Sequence, residues 1–143
     1  MTKIDNLVFQ IPDVPKSELS ISGDGHRKIV VVTYDLEYTS DELITMQRLM
    51  NAIQYDLEKD AITICLKQNQ KISLASYITT YDYLLMFGVK PETIGIFIEY
   101  RLYDIVHFEQ STLLVSDSVK KLNEDKNLKG ILWKRLQKIF NVA

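Results

Sequence analysis

KIVVVTYDLEYTSDELITMQRLMNAIQYDLEKDAITICL, residues 28–66, is the stretch on which the fold turns. Its first seven residues, 28–34, form a near-continuous β-branched run. A strand that is apolar at every position is covered on both faces, as the strands of a parallel sheet are. Thr39 then offers an N-cap with Glu42 three residues on, the spacing at which cap and third helical residue satisfy each other. Beyond it Leu43, Met46, Met50, Ile53 and Leu57 recur at three- and four-residue intervals, which predicts one apolar stripe on a helix of about four turns. Residues 61–66 (AITICL) read as a second buried strand. Strand, helix, strand is a right-handed crossover, so the two strands should be parallel neighbours.

Working outward, a shorter helix is expected over 72–78, leading to a third strand at 83–89 (YLLMFGV) closed by Gly88 and Pro91. Segments 96–100, 103–108 and 112–115 are short and separated by polar residues. They predict a two- or three-stranded antiparallel excursion, with Asp104 and His107 marking an edge. Ser116, Asp117 and Ser118 then supply caps for a short helix through Leu122. Asn123, Glu124 and Asp125 start a longer one to about Phe140, with Leu128, Ile131, Leu132, Leu136, Ile139 and Phe140 as its apolar face. Gly130 inside that helix costs about 1 kcal/mol against alanine, which a close backbone contact would offset.

Before the first strand lies a polar lead-in, 1–27, with Pro12, Pro15 and the turn signal Gly23-Asp24-Gly25. Its apolar residues Ile4, Leu7, Phe9 and Ile11 fit either an arm packed on the domain or a short motif for a partner. The expected organisation is that arm, 1–27, followed by a single α/β domain, 28–143. A chain of 143 residues matches the common size of one domain, roughly 100–150 residues.

The net charge is −2, which argues against wholesale electrostatic capture of nucleic acid. The basic residues nevertheless cluster: between 119 and 138 seven cations, Lys120, Lys121, Lys126, Lys129, Lys134, Arg135 and Lys138, face two acids, Glu124 and Asp125. Lys134, Arg135 and Lys138 suit the negative end of a helix dipole. Lys120, Lys121, Lys126 and Lys129 fit either a solvated face or a contact with an acidic partner or single-stranded DNA. Trp133 among them reads either as an interface anchor or as part of the core stripe beside Leu132 and Leu136.

Catalytic and ligand-binding patterns are largely missing. The loop after the first strand, Asp35-Leu36-Glu37-Tyr38-Thr39-Ser40-Asp41, is acidic and competes with a phosphate for helix N-terminal donors. His26 and His107 are the only histidines and Cys65 the only cysteine, so no metal cluster or internal disulfide is expected; Cys65 reads as a core thiol. Ser116, Asp117 and Ser118 fit helix capping better than a nucleophile, and Asp35, Glu37 and Asp41 fit an exposed loop better than acid–base carboxylates. No catalytic residue, cofactor, metal, small-molecule substrate or membrane contact is expected. With no charged-then-apolar leader and no apolar run near the roughly 18 residues of a span, a cytoplasmic protein is expected.

Two stretches resemble the psi subunit of bacterial DNA polymerase III. One is KIVVVTYDLEYTSDELITMQRLMNAI: an apolar strand, an Asp-Leu turn, an acidic helix start and an amphipathic helix. The other is FEQSTLLVSDSVKKLNEDKNLKGILWKRLQ, with Glu109, Val115, Ser116, Ser118, Leu122, Leu132, Trp133 and Gln137 at the positions that carry the likeness. The resemblance covers roughly residues 28–140. It implies a three-layer α/β/α sandwich with a mostly parallel central sheet, similar to uracil-DNA glycosylases. Where those enzymes carry their catalytic loop and a His-Pro-Ser, this chain has Asp35-Leu36-Glu37 and Ser116-Asp117-Ser118, so a fold without the chemistry is implied. The family tethers: it joins the clamp loader, through an N-terminal peptide, to the chi subunit, which holds single-stranded-DNA-binding protein. The implied function is thus a non-catalytic replication subunit whose partners are the clamp loader and a chi-like subunit. The alternative is a glycosylase-fold nucleic-acid-binding domain using the basic C-terminal helices.

Overall fold

The β-branched run folds as expected and becomes an inner strand of the sheet. The computed structural model describes residues 19–142. Their strands are β1 (Ser20–Ser22), β2 (Ile29–Tyr34), β3 (Ala61–Leu66), β4 (Tyr83–Phe87), β5 (Ile105–Phe108) and β6 (Ser111–Ser116), and their helices α1 (Ser40–Ala52), α2 (Leu57–Asp60), α3 (Val119–Glu124) and α4 (Lys126–Phe140). The strands form one sheet in the order β1-β3-β2-β4-β6-β5. The four inner strands are mutually parallel, and the outer two are antiparallel to their neighbours.

Alternation within these strands sorts the core onto two faces. Ile29, Val31, Leu85, Phe87 and Leu114 point to one side, where Met46, Met50, Leu122, Leu132 and Leu136 of the helices meet them. Val30, Val32, Leu84, Met86 and Leu113 point to the other, beneath Leu74, Ile94 and Ile96. This second face is covered by irregular chain and two 3-10 turns, Leu74–Ser76 and Pro91–Ile94. The helix expected over 72–78 shrinks to the first of those turns: Asn69 at φ 66° breaks the approach to it, and β-branched residues crowd its far end.

Three further details differ from expectation. Residues 96–100 run as irregular chain, so the antiparallel excursion is the β5–β6 pair alone. The first helix stops at Ala52 instead of continuing through Leu57. Gln54 turns to φ 69°, and the Asp56 side chain accepts from Lys59 N at 2.8 Å to start α2. The end of the lead-in also joins the sheet: Leu19 is buried and Ser20–Ser22 pairs with residues 63–65 of β3.

The cap of α1 forms as its spacing implies. Glu42 Oε1 accepts from Thr39 N at 2.8 Å and from Thr39 Oγ1 at 2.5 Å. These hydrogen bonds hold the Glu42 carboxyl below its ordinary range, against an opposing push from burial. A depressed folded-state value means the contribution is complete above the unfolded carboxylate value and fades as pH falls through the folded one. Glu42→Ala should therefore cost about 1 kcal/mol at neutral pH, with the gap to wild type narrowing below about pH 4. Urea unfolding at both pH values measures this, and a gap independent of pH would contradict it.

Candidate functional site

Two surfaces stand out. The first is the carboxyl edge of the parallel strands, where open α/β sheets usually bind ligands. A cleft of about 520 Å³ opens there between Tyr34, Asp35 and Glu37 on one side and Gln68, Gln70 and Thr93 on the other. Leu36 stands at its rim, 70% exposed.

Of the groups that suggested chemistry at this edge, Ser116, Asp117 and Ser118 are occupied in holding the fold together, while Asp35 and Glu37 line the cleft. The Ser116 hydroxyl is buried and donates to the Asp117 carbonyl at 2.6 Å. The Asp117 carboxylate accepts from Tyr103 Oη at 2.6 Å and lies 3.5 Å from Lys121 Nζ. Burial, and then that hydrogen bond, push the Tyr103 phenol well above its usual range. Ser118 Oγ accepts from Lys121 N at 3.2 Å, capping α3. His107 sits opposite Thr112, near the start of β6, so it lies at the amino edge. Four residues of strand, roughly 13 Å, separate that position from Ser116. Cys65 is half-buried rather than sealed in the core. Burial and then the nearby Asp35 carboxylate push its thiol upward. Among the described residues no three His, Cys, Asp or Glu side chains gather to hold a metal, and no helix is long and apolar enough to cross a membrane.

The second surface is a groove of about 370 Å³ between α1 and α4. One wall is Thr45, Arg48, Leu49 and Ala52; the other is Lys126, Lys129, Gly130 and Trp133. Both sets are spaced i, i+3, i+4, i+7, one face of a helix over two turns. The helices also run the same way. α1 leads from the carboxyl end of β2 back to the start of β3. α4 ends where Phe140 packs on Tyr55 at 5.3 Å and on Tyr83, the first residue of β4, at 4.5 Å between ring centroids. The two stripes therefore line one groove between helices that run the same way.

Thr45 Oγ1 donates to Asn123 Oδ1 at 2.8 Å, and Lys129 Nζ reaches the same oxygen at 3.5 Å, tying the groove's upper end to α3. Gly130 makes no close backbone contact: a Cβ built there meets nothing within 4 Å. The glycine instead leaves the middle of the groove open, a correction to the sequence expectation. Trp133 is half-buried: it packs against the core cluster on one side and lines the groove with the other.

Of the residues singled out from the sequence, the structure brings Lys126, Lys129 and Trp133 to this groove. Lys120 and Lys121 lie on α3, Lys121 against Asp117 and Lys120 within electrostatic reach of Glu42. Ile4, Leu7, Phe9 and Ile11 lie outside the described residues. Sequence reasoning missed Arg48, Leu49 and Ala52. Their matching spacing was the available signal, but it gains meaning only once the α4 stripe lies opposite. The ion pair found among the described residues is Lys121–Asp117; no carboxylate oxygen of those residues lies within 4 Å of the Arg48, Lys126 or Lys129 side-chain nitrogens.

No family model and no curated protein matches this chain.

Proposed function

We propose that this chain is a non-catalytic accessory subunit of a bacterial replicative DNA polymerase, a tether resembling psi in both role and glycosylase-like three-layer fold. The observation that carries the reading is a division of labour on the surface. Ser116, Asp117 and Ser118 at the carboxyl edge are spent on internal hydrogen bonds and a helix cap. Arg48, Lys126, Lys129 and Trp133 surround an open apolar groove on the helix face. Arg and Trp are the side chains that dominate macromolecular interfaces, especially around a desolvated centre.

Val115 and Ser116 end β6, Ser118 caps α3, and Leu122 and Leu132 are fully buried against the sheet. Trp133 is then the next residue along and reaches the surface. In this reading the apolar lead-in residues Ile4, Leu7, Phe9 and Ile11 attach to the clamp loader, and the helix face holds the second partner, chi-like in role. The cytoplasm is where such a complex works.

Affinity capture of the tagged full chain from its native cell, with the retained proteins identified by mass spectrometry, tests this. Clamp-loader subunits should be retained in near-stoichiometric amounts. Their absence, with the tagged chain folded and soluble, sinks the reading.

A further inference from the structure

We infer that the groove between α1 and α4 is the receptor for an acidic amphipathic helix of a partner protein. The inference rests on the tether reading and names the chemistry of its second attachment. Three features carry it. First, each wall is a two-turn i, i+3, i+4, i+7 stripe, about 10 Å long at the helical rise. A third helix laid between them would present apolar residues at the same spacing, the usual way a helix enters a groove. Second, Gly130 leaves the centre free of any atom within 4 Å of a would-be Cβ, so an apolar side chain can enter there above Leu49, Ala52 and Trp133. Third, Arg48, Lys126 and Lys129 border the groove without a carboxylate partner among the described residues. Complementary charge on the incoming helix would set its orientation and speed its approach.

A nucleic-acid strand fits this place less well. Stacking needs an aromatic ring with a free face, along a basic track that follows successive phosphates. Trp133 is the one aromatic ring among the groove's lining residues, so successive bases find no second platform, and the cations surround an apolar floor within about two helical turns.

The test uses the full chain and a fluorescein-labelled twelve-residue peptide with Leu at positions two, five, six and nine and Glu elsewhere. A second peptide carries Lys in place of Glu, and a twelve-nucleotide oligo-dT is the third probe. Fluorescence anisotropy should show the Glu peptide binding at least about tenfold more tightly than the Lys peptide, and weakening several-fold between about 50 and 200 mM salt. Lys129→Glu and Gly130→Leu should each weaken it about tenfold or more. Gly130→Leu is the sharper variant, because it fills the groove while removing a helix-interior glycine, so its thermal midpoint should rise.

Equal binding of the two peptides, no binding of either at about 1 mM, or undiminished binding by Gly130→Leu overturns the inference. So does tighter binding of oligo-dT, which would make the groove a nucleic-acid site, or self-association through the groove seen by light scattering. Peptide failure with clamp-loader capture intact discards the groove assignment alone. Peptide binding without capture discards the replication reading and keeps the groove.

Discussion

Gly23→Ala is expected to destabilise this fold by about 3–4 kcal/mol, a large loss for one methyl group. Gly23 sits at φ +98°, where an L side chain is strained, and its added Cβ would lie 2.2 Å from the carbonyl oxygen of Ala61. That oxygen is backbone at the start of β3, whose Ala61 is paired with Ile29 of β2, so it cannot yield without disturbing the sheet's centre. The turn is also clasped from residue to residue: Asp24 N donates to Glu58 O at 2.8 Å, His26 N to Lys59 O at 2.9 Å and Arg27 N to Asp60 O at 3.1 Å. Displacing Gly23 loosens all of these. The same substitution at Gly130 meets open space and should stabilise by about 1 kcal/mol. Urea unfolding of the two variants side by side checks the contrast. Shifts of equal sign would contradict it.

Phe87→Ala should cost about 3–5 kcal/mol. Phe87 is 1% exposed at the end of β4, on the face where α1, α3 and α4 converge. Its ring fills a space bounded by a sheet that is paired on both sides at that strand, so the surroundings can close only partly around the cavity. Against the 5–15 kcal/mol typical of a domain, that loss takes much of the margin. The variant should unfold at a far lower urea midpoint with an unchanged slope. A loss below about 1 kcal/mol would mean that the helices re-seat over the gap.

The parallel sheet was legible because its strands carry the signal themselves. Val30, Val31 and Val32 in succession make sense only with both faces covered, and Thr39 with Glu42 announces a helix start through a pair of hydrogen bonds local in sequence. What escaped reading depends on partners far away. Ser20–Ser22 is too short and polar to declare a strand; it becomes one because β3 offers an open edge and Gly23 can make the turn. The stop of α1 rests on Gln54 in a left-handed conformation, which its side chain does not advertise. The covering of the second face by 3-10 turns follows from segments with no helical period. An interior glycine such as Gly130 marks either a close approach or an opening, and only the position of α1 decides between them. For the same reason Lys126, Lys129 and Trp133 were visible as candidates, whereas Arg48 was not.

In the proposed function the chain joins two partners through separate surfaces. Affinity capture with three forms of the chain tests it most directly: wild type, a deletion of residues 1–18, and Gly130→Leu. The deletion keeps buried Leu19, and a Cβ at position 130 meets nothing within 4 Å, so both should fold. Wild type should retain the clamp loader together with a second protein, the deletion should lose the clamp loader alone, and Gly130→Leu should lose the second protein alone. Loss of the same set by both variants, or retention of everything by both, would contradict it.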